Sequence, residues 1–266
     1  MSERVTLEIE DGIAYLELNR ADKRNALDMP MFWALSKTLK KLRKRKEIRG
    51  VILTGKGEDF CSGLDIKSVL SSASNGIQLL WKWLPGNANL AQHVSVGLRK
   101  LSVPVICVIQ GRCWGGGMQI ALGADFRIAT PESSLSIMEG KWGLIPDMGG
   151  TIALREFLPV DKAMYLAMSA KELTAQESLD MNLITEVHED PMARAKEMME
   201  ELLQRSPDCL AAVKKLYQLA WHRNDRAVLA RETWYQLRIL TGKNQRIAVK
   251  RQLKQKDISY AKRKNW

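Results

Sequence analysis

Four cysteines and three histidines are spread along 266 residues without any ligand-like grouping. Cys61, Cys107, Cys113 and Cys209 form no CxxC pair and show no zinc-ligand spacing. They read as free thiols of a reducing compartment. His93, His188 and His222 are scattered and HExxH is missing, so no metal site is expected. No apolar run approaches the roughly 18 residues of a membrane span. The opening Met1-Ser2-Glu3-Arg4 leads straight into a strand-like pattern, without the apolar stretch of a secretory signal. The expected location is the cytoplasm, away from membranes. Internal repeats and low-complexity segments are also missing.

What is present is an ordinary globular composition. Hydrophobic residues, at 45%, supply a core, and charged residues, at 27%, a solvated surface. The length suits one large domain, or a domain with a helical appendage. A net charge of +11 favours phosphates or other anionic partners, or is simply a basic soluble surface.

Residues 5–9 and 13–18 read as two strands joined by Asp11-Gly12, a strong hairpin signal. A helix is expected over 30–46, with Phe32, Leu35, Leu39 and Leu42 on one face. Buried strands are expected at 50–54 and 104–109, and further strands at 126–129 and 135–137. Another helix is expected over 90–101. Residues 71–89 are mixed in pattern, with Trp81, Trp83, Pro85 and Gly86 close together. Thr174-Ala175-Gln176-Glu177 is a capping box, and Ser206-Pro207 fits a helix start. Strands spaced by helices imply a parallel α/β core. The second half, beyond about Pro191, reads as helical.

Three glycine-bearing segments stand out. They are Phe60-Cys61-Ser62-Gly63-Leu64-Asp65-Ile66-Lys67, Gly111-Arg112-Cys113-Trp114-Gly115-Gly116-Gly117-Met118-Gln119, and the run from Glu139 through Trp142, Pro146 and Asp147 to Gly149-Gly150-Thr151. Singly, a Gly-Gly-Gly run is a tight strand-to-helix connection or a phosphate loop, and neither GxGxxG nor GxxxxGKS/T is present. Together, in this order and spacing, they resemble the crotonase (enoyl-CoA hydratase/isomerase) family. Asn19-Arg20-Ala21-Asp22-Lys23-Arg24-Asn25-Ala26-Leu27 and residues 174–187 resemble it as well. The resemblance spans essentially the whole chain.

The resemblance implies an α/β fold, a crotonase-type ββα spiral core over 1–190 and a helical C-terminal trimerisation region over 191–266. It implies an enzyme that binds an acyl-CoA thioester and stabilises its enolate, with no prosthetic group. The oxyanion donors would be the N–H groups of Leu64 and Gly116. Each such donor is typically worth about 3 kcal/mol in the transition state. Lys23 and Arg24 would cradle the nucleotide end of the CoA. Ser62, Asp65, Ile66 and Lys67 would flank the adenine and pantetheine path, with Lys67 meeting a phosphate or remaining a surface charge. The phosphates of CoA would use part of the basic excess.

The family's hydratases hold water between two glutamates, at the positions of residues 119 and 139 here. The first is Gln119, which can orient a water but cannot take its proton, and the second is Glu139. Asp147 stands where the family's dienoyl-CoA isomerases carry an aspartate, or is a turn residue after Pro146. Double-bond isomerisation, which needs one carboxylate, is the favoured reaction. Hydration of the fatty-acid β-oxidation type is the alternative. Trp81, Trp83 and Trp142 line the acyl pocket or pack in the core, and Trp142 is placed to shield Glu139.

Lys37, Lys40, Lys41, Lys44 and Arg45 lie mostly away from the leucine face of the 30–46 helix. One family relative binds RNA through the equivalent helix, so RNA binding is a rival reading; a solvated helix face is the plainer one. A non-catalytic acyl-CoA-binding protein is a third. The C-terminal stretch is also basic, with Lys250, Arg251, Lys254, Lys256, Lys262, Arg263 and Lys264. The family resemblance implies a homotrimer or hexamer.

Overall fold

The computed structural model describes residues 3–69, 71–253 and 258–266; Lys254 and Lys256 lie outside the described residues. Strands β1 (Val5–Glu10) and β2 (Ile13–Leu18) form an antiparallel hairpin. Asp11 and Gly12 both take positive φ (48° and 81°), as a two-residue turn matched to strand twist requires. Helix α1 (Met29–Lys44) begins where Asp28 accepts the Met31 N–H, and Pro30 is tolerated in its first turn. Its stripe of Met31, Phe32, Leu35, Leu39 and Leu42 is buried, while Lys37, Lys40, Lys41 and Lys44 are exposed.

After β3 (Gly50–Gly55) come α2 (Ile66–Val69), α3 (Ala73–Leu80) and α4 (Leu90–Arg99). The mixed stretch therefore contains a short helix, capped by Ser72, followed by coil carrying Trp81 and Trp83. Strand β4 (Val105–Ile109) leads through β5 (Arg112–Trp114) into α5 (Gly116–Ala121). Then follow β6 (Phe126–Ala129), β7 (Ser134–Ser136), α6 (Gly150–Phe157), α7 (Val160–Ser169), β8 (Leu173–Thr174), α8 (Ala175–Asp180) and β9 (Glu186–Val187). The chain continues with α9 (Pro191–Leu203), α10 (Pro207–Ala220), α11 (Asp225–Leu240) and α12 (Lys243–Gln252). Thr174 and Glu177 make the expected capping box on α8, and Ser206 caps α10 with Pro207 in its first turn.

The larger sheet has the order β1-β2-β3-β4-β6-β9 and is parallel from β2 onward. Alternation along its strands sorts side chains to two faces. Leu16, Val51, Leu53, Val105 and Cys107 join one core with Leu35 and Leu39 of α1 and Val94 and Leu98 of α4. Ile13, Ile52, Ile106, Val108 and Ile128 point the other way, onto Ala195, Met198 and Met199 of α9. Both faces are covered, which is why β3 and β4 read as continuous apolar runs rather than alternating ones.

A second sheet, β5-β7-β8, pairs β5 parallel with β7 and β7 antiparallel with β8. Helices α10, α11 and α12 pack on one another, and α11 buries none of its residues. No described helix is long and apolar enough to cross a membrane.

Candidate active site

The smaller sheet brings the glycine-bearing segments together. Trp114 of β5 pairs with Ser136 of β7, so the chains leaving both strands emerge side by side. One enters Gly115-Gly116 and α5, and the other reaches Glu139. The loop after β3 is laid alongside by parallel main-chain pairing of Cys61 with Cys113, both free thiols, with Cys61 N–H donating to Arg112 O at 2.9 Å and Trp114 N–H to Cys61 O at 3.0 Å. A further such pairing ties Leu64 to Leu27.

This stacking places the Leu64 and Gly116 segments against each other. Gly63 takes φ 98°, and a Cβ there would lie 3.0 Å from Trp114 O and 3.6 Å from the Gly116 nitrogen. Glycine at 63 thus satisfies both the backbone conformation and the close approach. Among the described residues, neither the Leu64 nor the Gly116 N–H donates to a protein acceptor. Gly116 opens α5, whose first-turn amides have no intrahelical partner.

Glu139 lies beside Gly115, the residue before Gly116: a Cβ on Gly115 would sit 3.5 Å from its Oε1. Gln119, one turn into α5 and fully buried, donates from Nε2 to Glu139 Oε1 at 2.6 Å. The Gln119 Oε1 accepts two backbone N–H groups, from Met148 at 2.8 Å and Gly150 at 3.1 Å. Glu139 Oε2 is buried and, among the described residues, has no hydrogen-bond partner. Burial raises the Glu139 pKa above the ordinary value, with the Gln119 amide and the residue's own backbone N–H opposing and the Asp147 charge adding to the rise. Asp147, half-buried, is also raised by burial. Its charge reaches Glu139, yet among the described residues no hydrogen bond joins the two.

Five of the sequence-predicted site residues, Lys23, Leu64, Asp65, Ile66 and Lys67, line one open cleft of about 670 Å³ together with Trp142. Trp142 is 63% exposed, so most of its indole lies in solvent. Trp81 and Trp83 are also exposed and meet edge to face, with centroids 5.9 Å apart. Arg24 and Ser62 lie next to the cleft and are tied to each other, Ser62 N–H donating to Arg24 O at 3.0 Å. Asp65 is engaged by the protein itself. Its Oδ1 caps Ser68 N–H at 3.1 Å and its Oδ2 pairs with Arg20 at 2.8 Å.

Two organising residues carried no assigned role in the sequence. Asn25, fully buried at φ 53°, accepts the Arg20 N–H at 2.8 Å and donates to Lys56 O at 3.0 Å and Asp59 O at 2.8 Å. Arg20 bonds Ala26 O at 2.8 Å and pairs with Asp28 and Asp65. Between them they hold the 20–28 loop against the 55–65 loop. The available signal was Asn25 itself, since asparagine tolerates positive φ better than most residues.

A family model described as enoyl-CoA hydratase/isomerase matches residues 8–258. The chain belongs to that family. Among curated relatives, a hydroxycinnamoyl-CoA hydratase-lyase of Pseudomonas fluorescens is 29% identical over 229 residues, covering 83% of this chain and 82% of the relative. A carnitinyl-CoA dehydratase of Salmonella typhi is 31% identical over 222 residues, covering 82% and 81%. Among solved structures, enoyl-CoA hydratase from Thermoplasma volcanium GSS1 superposes with a TM-score of 0.84 at 26% identity, covering 94% of this chain and 97% of that one. One from Polaromonas sp. JS666 gives 0.86 at 26% identity, covering 97% and 99%. The crotonase-type α/β fold expected from the motifs is the fold of this enzyme.

Proposed function

We propose that this family member binds an acyl-CoA thioester and moves its double bond by a one-carboxylate proton shuttle. The observation that carries this reading is a Glu139 carboxyl next to Gly115, at the start of the segment that carries the unengaged Gly116 N–H, with one oxygen, Oε2, buried and without a hydrogen-bond partner among the described residues. The thioester oxygen accepts from Leu64 and Gly116 N–H. Glu139 takes an α-proton, and the charge that develops on the thioester oxygen rests against those two donors. The same carboxyl then returns the proton two carbons away. Asp147 assists through its charge, which favours the neutral form of Glu139. The open cleft receives the CoA, with Lys23, Arg24 and Lys67 toward its phosphates and Ser62, Asp65 and Ile66 along its path.

A second reading, addition or elimination of water, is favoured by the relatives called hydratase-lyase and dehydratase. A panel of 2-enoyl, 3-enoyl and dienoyl CoA esters, followed by absorbance and product mass, separates the two. Isomerisation predicts that 3-enoyl-CoA shifts faster than 2-enoyl-CoA gains water. Efficient hydration with no action on 3-enoyl-CoA would leave the second reading standing.

Assembly as a homotrimer, or a hexamer built from two, fits the apolar residues left exposed on α7, α10 and α11 and just after α10. These include Val160, Met168, Tyr217, Trp234 and, at the end of α10, Trp221.

A further inference from the structure

We propose that Gln119 is a positioning residue that fixes the Glu139 carboxyl and confines its proton exchange to a single oxygen, Oε2. The inference rests on the reading of Glu139 as the proton-transfer group and adds which atom performs the transfer and why.

The geometry permits one orientation of the amide. Gln119 Oε1 receives two N–H donors, from Met148 and Gly150, which together use both its lone pairs. A flipped amide would set its NH2 group against those two donors, so Nε2 must face Glu139. The Nε2–H then points at Glu139 Oε1 from 2.6 Å. A hydroxyl oxygen is a much poorer acceptor than a carbonyl oxygen, so this contact disfavours a proton on Oε1. When Glu139 is neutral, its proton therefore sits on Oε2, which has no partner among the described residues.

The same amide joins both ends of the 139–150 segment, which carries exposed Trp142, Leu144 and Ile145 and half-buried Asp147. Gln119 thus sets the carboxyl and the segment beside it in a common frame. In the proton shuttle, the α C–H bond breaks and its proton goes to Oε2, while the electron pair passes into the enolate. The Oε2–H bond then breaks to protonate the γ-carbon, and the electron pair settles as the α,β double bond. No second base and no water enters.

Gln119→Glu provides the test because it keeps an oxygen for the Met148 and Gly150 N–H groups. Its other oxygen faces Glu139 Oε1 without a hydrogen, so the two carboxyls must share a proton. Carboxyl carbons are followed by ¹³C NMR across pH in protein labelled at glutamate, with Glu139→Gln assigning the signal. The wild type should titrate in one step. Gln119→Glu should titrate in two coupled steps, the upper one displaced to higher pH by at least about one unit. The rising limb of its pH–turnover profile should move the same way. Gln119→Met should lower kcat more than tenfold while KM stays within about twofold.

An unaltered Glu139 titration in Gln119→Glu would overturn the proposal whatever the substrate. A displaced titration without turnover of any CoA ester would uphold the positioning role and refute the proposed reaction. Should the variant fail to fold, the wild type still decides. The Gln119 side-chain ¹⁵N shift must track the Glu139 titration, and independence of the two would refute the contact.

Discussion

At Glu139 the protein keeps a carboxyl in surroundings that oppose its charge. Burial raises its pKa above the 4.5 of an ordinary glutamate. Below that value the group is neutral in both the folded and unfolded chain. As pH rises, the unfolded chain ionises first, and the folded state loses relative stability until its own higher pKa is passed. Glu139→Gln should therefore melt above the wild type at pH 8, with the advantage vanishing near pH 4, as scanning calorimetry at a series of pH values would show. The same variant should lose roughly 10²- to 10⁴-fold in kcat while CoA-ester binding changes little. Gly117 is a second sensitive position. A Cβ there would collide with the Cys61 carbonyl oxygen and side chain, at the main-chain pairing that holds the 60–64 segment to β5. Gly117→Ala should cost about 1–3 kcal/mol in urea unfolding, as overpacking of a tight contact does. Glu139 and the Gln119 departure were both legible in the sequence. The partners that give Gln119 its work, the Met148 and Gly150 amides, were not, because main-chain N–H groups are the same whatever the residue.

The elements that hold the site are strands and helices with strong local signals, joined by loops with weak ones. The Asp11-Gly12 hairpin, the α1 stripe and the capping box at Thr174 were readable because each follows from a local rule of turn, period or cap. The 71–89 stretch was not, since α3 is short and its hydrophobic residues Ile77 and Leu80 stay exposed. The 20–28 loop depends on the buried Asn25 amide. Asn25→Ala removes three hydrogen bonds and a residue suited to positive φ. It should loosen Lys23 and Arg24 and weaken CoA binding, measured calorimetrically, more than it slows turnover at saturating substrate. In the C-terminal region the corresponding hub is Asp208, buried in the first turn of α10. It accepts from Asn244 Nδ2 at 2.9 Å, Lys264 N at 2.7 Å and Trp266 Nε1 at 2.7 Å. Asp208→Ala removes the acceptor of the Lys264 and Trp266 N–H groups and one of the two acceptors of Asn244 Nδ2, and should cost on the order of 3 kcal/mol in chemical unfolding.

Across the whole molecule, the core and the surface obey different accounts. The two-faced sheet, closed by α1 and α4 on one side and α9 on the other, satisfies its apolar residues within one chain. The outer helices do not. α11 runs 16 residues without burying one, and Leu229, Trp234, Leu237 and Leu240 on it are each at least half exposed. A groove of about 320 Å³ beside α10, lined by Phe126, Phe157, Val213 and Trp221, is open to solvent as well. If copies of the chain cover these surfaces, folding and association become one equilibrium governed by mass action. The midpoint of thermal unfolding should then climb as the protein is concentrated over a roughly hundredfold range, and ligand-free dilution should be enough to lower it. A midpoint indifferent to concentration would mean that α11 is stable while bare. As described, the helix would then be a free rim of the molecule, and each chain would carry out its chemistry alone.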